Sequence, residues 1–272
     1  MASKGRLDAY LVAQGVASGR EKAKELILGG AITVNGAVVE KPSFAVAQGD
    51  TVVCSQTPST YVGRGALKLE KALACSAVSV DGAAVMDVGA STGGFTQCLL
   101  QHGAKKVIAV DVGHDQLHPL LRNDPRVENR EGTDVRSPQL QQEIAIGSLD
   151  AITADVSFIS LKQILPSVLP FLKDGGHLFL LIKPQFEAGK ADVGKKGIVR
   201  DRAVHVRVLR ELTAFFAQNG CSLLLLTGSP IVGGAGRSSG NIEYITVLKK
   251  EAAPLPLLDF RQLVDETFKE FN

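Results

Sequence analysis

Asp111, Asp155 and Lys183 each close an apolar run (VIAVD, LDAITAD, LFLLIK), and Glu243 opens another, EYITVL. Acidic and basic groups just beyond the ends of neighbouring strands can hold a polar ligand or exchange a proton. A carboxylate inside an apolar strand is costly unless paired, so Glu243 needs a cation, and Lys183 or Lys68 is a fitting partner. Lys68 lies in RGALKLEKAL, an amphipathic helical pattern over about residues 64–75, where a lone lysine would otherwise read as solvated. The ligand's place is given by MDVGASTGGFT (86–96), an apolar run, a turn of small residues and a helical pattern from Phe95. Glycines in such a turn let backbone N–H groups at a helix start approach a ligand. A dinucleotide fingerprint would need glycine at Ser91, so a nucleotide-like ligand without a pyrophosphate is expected. Asp111, 22 positions after Gly89, can accept both hydroxyls of a ribose. Asp134 can accept from an adenine amino group or be an ordinary solvated loop aspartate.

The elements that must position these groups alternate between strand and helix, the pattern of a parallel, doubly wound sheet. Strands are expected at Val85–Val88, Lys106–Val110, Val127–Asn129, Leu149–Ala154 and Leu178–Ile182, then a helix at Arg202–Gln218. Ser222–Leu226 and Glu243–Leu248 complete seven strands as an antiparallel hairpin at the sheet edge, and a helix at Phe260–Phe271 packs on that edge. Asp155 and Lys183 then end neighbouring strands beside the glycine turn. Two glycine-bearing loops, 186–200 with Lys190, Lys195, Lys196 and Arg200, and 228–241 with Arg237, follow strands at the same end and can close over a substrate. The alternative is an ordinary disordered loop. Phe158 can stack on a base, with core packing the plainer reading.

The first sixty residues differ in texture. Leu7, Leu11 and Val12, then Ala23, Leu26 and Ile27 after Ser18 or Gly19, give two short helices with Gly15 between them. Asn35-Gly36 between two apolar triplets signals a β-hairpin, and Gly49-Asp50 a second turn before Thr51-Val52-Val53. The polar stretch SQTPSTYVG (55–63) marks a linker, placed at 57–63 between a module at 1–56 and a domain at 64–272. Arg6, Arg20, Lys22 and Lys24 form either a phosphate-facing patch or a solvated face balanced by Asp8, Glu21 and Glu25. A net charge of +2 cannot decide this. The 272 residues, 45% hydrophobic, suffice for one large α/β domain and one small module. Four scattered cysteines without a C-x-x-C pair imply no disulfide framework and no metal site. With no run near the roughly 18 apolar residues of a membrane helix and no apolar leader, a soluble cytoplasmic protein is expected, and the oligomeric state is unread.

Residues 4–54 resemble the α-L RNA-binding domain of a ribosomal small-subunit protein, some pseudouridine synthases and tyrosyl-tRNA synthetases. That resemblance implies structured RNA as partner, with Arg6, Arg20 and Lys24 on its phosphates. Lys68 in RGALKLEKAL, Asp155 in ITADVSFISL, Lys183 in LLIKPQFE and Glu243 in GNIEYITV resemble the catalytic tetrad of FtsJ-type ribose 2′-O-methyltransferases. With MDVGASTGGFT and the N-terminal module, the chain resembles the TlyA (hemolysin A) family of such enzymes. The resemblance implies a Rossmann-like, mostly parallel seven-stranded domain that binds S-adenosylmethionine through Asp87, Gly89, Ala90, Ser91, Gly93, Gly94, Phe95, Asp111, Asp134 and Asp155. It implies ribosomal RNA or ribosomal subunits as substrate, methylated on cytidine 2′-hydroxyls, with Arg64, Lys190, Lys195, Lys196 and Arg237 as further RNA contacts. In that scheme Lys183 is the base, Asp155 orients it, Lys68 steadies the oxyanion and Glu243 aligns the lysines. Gly63 and Ala66 depart from the serine and glycine that resembling proteins often have. An RNA-binding protein without methyl transfer is the alternative. A pore-forming haemolysin would need a secretion signal or membrane-seeking segments, which the sequence lacks.

Overall fold

The computed structural model describes residues 3–17, 19–28, 30–54, 61–194, 196–233 and 240–271. Two compact units emerge, one formed by the described residues of Met1–Thr60 with Val232–Gly240 and Phe271–Asn272, the other by Tyr61–Ile231 with Asn241–Glu270.

In the first unit the order is β1 (Ser3–Arg6), α1 (Leu7–Ala13), α2 (Arg20–Leu28), β2 (Ile32–Val34), β3 (Ala37–Val38), β4 (Ala45–Ala47) and β5 (Val52–Cys54). Leu7, Leu11, Ile27 and Ile32 are at most 1% exposed and form its core. Asn35 and Gly36 both take positive φ (51° and 82°), the twist a two-residue hairpin requires, and β2 pairs antiparallel with β3. The Asn35 side chain also bonds Asp50 and the Thr51 amide, which ties the second turn to the first. The pairing of β1 with β4 was not foreseen. Ser18, one of the two cap candidates, lies outside the described residues.

The second unit runs α3 (Ala66–Ser76), β6 (Ala84–Val88), α4 (Gly94–Gln101), β7 (Lys106–Asp111), α5 (Pro119–Arg122), β8 (Val127–Glu131), α6 (Pro138–Glu143) and β9 (Leu149–Ala154). It continues with α7 (Leu161–Val168), β10 (Leu172–Ile182), α8 (Pro184–Glu187), α9 (Arg202–Gln218), β11 (Cys221–Gly228), β12 (Tyr244–Lys250) and α10 (Phe260–Glu270). Its seven strands lie in the order β11-β12-β10-β9-β6-β7-β8. β10, β9, β6, β7 and β8 pair in parallel, and β12 is antiparallel to both neighbours. The expected hairpin is present, but only β11 is the edge strand, because β12 inserts between it and β10. α10 follows at that end of the sheet, in contact with β11 and α9. Residues 61–63, expected to end the linker, are built into this unit: Tyr61 is buried in its core and the Val62 amide donates to Gln97 at 2.6 Å. Residues 57–60 lie outside the described set.

Strand alternation sorts the core into two faces. Val85, Val107, Ala109, Phe179 and Leu181 join Leu69, Phe95 and Leu99 from α3 and α4 in one cluster. Met86, Ile108, Ile152, Leu178 and Leu180 are buried on the other face. The parallel register pairs Val88 with both Val110 and Ala154, so Gly89, Asp111 and Asp155 leave the sheet at one level. Ile182 pairs with Tyr244, which brings Lys183 and Glu243 to that same end.

Candidate active site

Four charged residues meet where β9 and β10 end and β12 begins. Lys68 Nζ, on α3, donates to Asp155 Oδ2 at 3.2 Å and to Glu243 Oε2 at 2.9 Å. Lys183 Nζ lies 2.6 Å from Asp155 Oδ1 and donates to Ser157 Oγ at 2.9 Å. Lys68, Lys183 and Glu243 are 7%, 8% and 2% exposed, so water screens these charges weakly. Burial opposes a charge on Lys68, yet Asp155 and Glu243 together outweigh it and raise its pKa. For Asp155 burial acts upward, and Lys68 with Lys183 reverses it to a net lowering. Of the two partners open to Glu243, it takes Lys68.

A cleft of about 580 Å³ opens beside this cluster, lined by Gly89, Ser91, Asp111, Asp134, Asp155 and Ser157 among others. Its volume falls in the range of small-molecule sites, roughly 300–1,000 Å³. Gly89 has φ 81°, and a Cβ there would sit 2.7 Å from the Asp155 carbonyl oxygen, so glycine is required where the turn crosses the next strand end. Asp111 accepts the Ser91 amide on Oδ2 (2.8 Å) and the Gly113 amide on Oδ1 (2.7 Å). Each oxygen keeps a second lone pair, so a vicinal diol can still be accepted. The donor set therefore fits a nucleoside. Asp134 is paired with Arg136 through its side chain and amide. That pairing lowers its pKa and turns it into a held loop aspartate on the cleft wall.

The remaining residues expected at the cofactor stand behind this wall. Asp87 is fully buried and accepts Thr96 Oγ1 (2.7 Å) and Thr153 Oγ1 (2.8 Å). Ala90 and Phe95 are buried, a Cβ on Gly93 would overlap Leu121, and Gly94 packs against Gly63 and Ala66. They shape the turn without lining the cleft.

Among the expected RNA contacts, Arg6 forms a two-point pair with buried Asp8, Arg20 reaches the same carboxylate at 3.6 Å, and Lys24 pairs with Glu21. Arg64 sits in the turn before α3. Lys190 and Lys196 are exposed. Lys195 and Arg237 lie outside the described residues. The loop that carries Lys196 is pinned at its end, where the Val199 amide donates to Asn241 Oδ1 and Asn241 Nδ2 donates to the Gly197 carbonyl.

The core-packing reading of Phe158 is corrected: its ring is 90% exposed, on the cleft wall, at φ 65°. It lies 5.1 Å from the Phe186 ring, centroid to centroid. Ser157 and Glu187 were missed. The Glu187 carboxylate accepts Ser160 Oγ at 2.6 Å and the Leu161 amide at 2.8 Å. No spacing in the sequence links 157–161 to 183–187, since the link is made by the β9–β10 pairing.

A parallel sheet with one antiparallel strand inserted next to its edge, with a nucleoside-sized cleft and a lysine–carboxylate cluster at its carboxyl end, defines a methyltransferase-like α/β domain. Residues 61–250 match the FtsJ-like methyltransferase family and residues 5–52 the S4 domain. YqxC of Bacillus subtilis is 43% identical over 98% of this chain and 95% of its own. The 16S/23S rRNA (cytidine-2′-O)-methyltransferase TlyA of Mycobacterium tuberculosis is 39% identical over 92% of each chain. A solved structure from Streptococcus thermophilus is 40% identical, with a TM-score of 0.76 over 100% of this chain and 98% of that one. The chain belongs to the FtsJ-like methyltransferase family, in the TlyA group that carries an N-terminal S4 domain.

Proposed function

We propose that this protein transfers a methyl group from S-adenosylmethionine to a ribose 2′-hydroxyl of ribosomal RNA, on cytidine as the name of the M. tuberculosis relative states. The observation that carries the reading is the unequal partnering of the two lysines. Lys68 lies between two carboxylates, which hold it charged, whereas Lys183 has one carboxylate and one neutral hydroxyl.

A ribose hydroxyl is a poor nucleophile and must lose its proton as it attacks. Lys183, paired with Asp155 of the cleft wall, is the base. With Lys183 neutral, Lys68, Asp155 and Glu243 sum to one net negative charge, which a cation in the cleft offsets. Asp155 orients Lys183, and the positive charge of Lys68, held beside Asp155, steadies negative charge as it develops on the oxygen. Glu243 holds Lys68 in line. Asp111 takes the cofactor ribose, and the turn at Gly89 and Ser91 gives it backbone room. S-adenosylmethionine, when bound, would supply an electrophilic methyl group on a cationic sulfur whose leaving group is a neutral thioether.

The S4 unit delivers the RNA. Arg6 and Arg20 share Asp8 and are still 52% and 59% exposed, so their remaining N–H groups can reach phosphates. The exposed ring of Phe158 offers a stacking face to a base at the cleft. Among the described residues no helix is long and apolar enough to cross a membrane. The test is incubation with labelled S-adenosylmethionine and ribosomal subunits or free rRNA, followed by alkaline hydrolysis. Label in alkali-resistant dinucleotides is expected, and label absent from every substrate overturns the reading in favour of RNA binding alone.

A further inference from the structure

Lys183 Nζ forms an ion pair with Asp155 Oδ1 at 2.6 Å, out of line for a hydrogen bond, and donates to Ser157 Oγ at 2.9 Å. A lysine ammonium has three N–H bonds, whereas the neutral amine has two and one lone pair. We propose that Ser157 is a positioning residue for the base: it accepts one N–H of neutral Lys183 while the Asp155 carboxylate flanks the amine, which leaves the lone pair for the substrate hydroxyl. This rests on the methyltransferase reading above.

The type of acceptor matters as much as its place. Lys68, between two carboxylates, stays a cation and keeps a third N–H to give. A hydroxyl at Ser157 accepts an N–H without adding the second negative charge that would hold Lys183 protonated. When the ribose hydroxyl gives its proton to Nζ, the new N–H takes the direction that the lone pair held. The two existing contacts to Asp155 and Ser157 persist, so the transfer needs little rearrangement.

Ser157 is fixed relative to Lys183 by the segment that carries the lysine. It lies in the turn between β9 and α7 and lines the cleft. That turn is held by Glu187, four residues beyond Lys183, through Ser160 Oγ and the Leu161 amide. Burial raises the Glu187 pKa, opposed by those same two bonds. The Phe158 and Phe186 rings add a third tie at 5.1 Å. The hydroxyl and the amine therefore move as one piece.

The experiment compares wild type, Ser157→Ala and Ser157→Thr with S-adenosylmethionine and whichever ribosomal RNA or subunit the wild type methylates. Loss of one hydrogen bond to the base is expected to lower kcat of Ser157→Ala about tenfold. KM for RNA and the calorimetric Kd for S-adenosylmethionine stay within about twofold, because Ser157 is exposed and its loss leaves the cleft walls in place. Ser157→Thr, which keeps the hydroxyl, returns kcat to within about threefold of wild type. Wild-type kcat in Ser157→Ala, a loss expressed in KM or Kd instead, or a threonine variant as slow as alanine overturns the inference alone. A wild-type protein that methylates no RNA overturns the methyltransferase reading and this inference with it.

Discussion

Glu243 and Lys68 stand 175 positions apart in the chain and meet at 2.9 Å. The contact exists because β12 inserts between β10 and β11, which moves Glu243 from the sheet edge to its interior. Removing one member of a buried pair costs about 3–5 kcal/mol when nothing replaces it. Lys68 keeps Asp155, so urea unfolding of Glu243→Ala should show a loss near the low end, about 3 kcal/mol, and Glu243→Gln a smaller one. A stability change below about 1 kcal/mol in Glu243→Ala would mean that the pair is screened as a surface one is.

Asp87 gives a pH signature. Burial pushes its pKa from 3.8 up to about 6, against the pull of Thr96 and Thr153. A carboxyl raised on folding contributes stability that is present below about pH 4 and is lost as pH climbs through about 6. Thermal midpoints of wild type and Asp87→Asn should therefore diverge in favour of the asparagine variant across that window, then run parallel above about pH 7. Divergence on the acid side instead would show that Asp87 is an ordinary paired carboxylate.

Phe158 couples strain to recognition. A bulky residue at φ 65° with its ring 90% exposed gains little for the fold, and such backbone strain is worth about 1–3 kcal/mol. Phe158→Gly should unfold at the same denaturant concentration as wild type or a higher one. It should bind RNA about tenfold more weakly or worse, the loss of one base stack. Undiminished RNA affinity would assign the ring no part in binding.

Arg6 and Arg20 are aimed by one carboxylate. The Asp8 pKa is pushed down to about 2, first by its hydrogen bonds from Arg6, so it stays ionised at any working pH. If Arg6 touches a phosphate, Arg6→Ala should reduce the slope of log affinity against log salt by roughly 1. An unchanged slope would remove Arg6 from the phosphate contacts.

How much of this was legible follows from what sequence carries. The alternating strands were readable because each is a short apolar run closed by a polar residue, and the parallel order placed Asp155 beside Lys183 correctly. Asn35-Gly36 gave its turn because few other pairs take two positive φ values. By contrast SKGR at Ser3–Arg6 has no strand pattern, and β1 forms only because β4 pairs with it. The partner of Glu243 stayed open between two lysines, since the choice depends on where β12 enters the sheet. Phe158 was misread because a hydrophobic residue defaults to the core, and no sequence rule signals a left-handed phenylalanine. Ser157 and Glu187 were missed because their partners are other side chains brought in by topology.

The central claim is that Lys183 removes the ribose proton, and Lys183→Ala tests it most directly. Labelled methyl transfer to rRNA or subunits should fall by about 10²–10⁴, the usual contribution of a positioned base. The calorimetric Kd for S-adenosylmethionine should stay within about threefold of wild type, because Asp111 and the Gly89–Ser91 turn are untouched. Methyl transfer near the wild-type rate, with cofactor binding intact, would contradict the account.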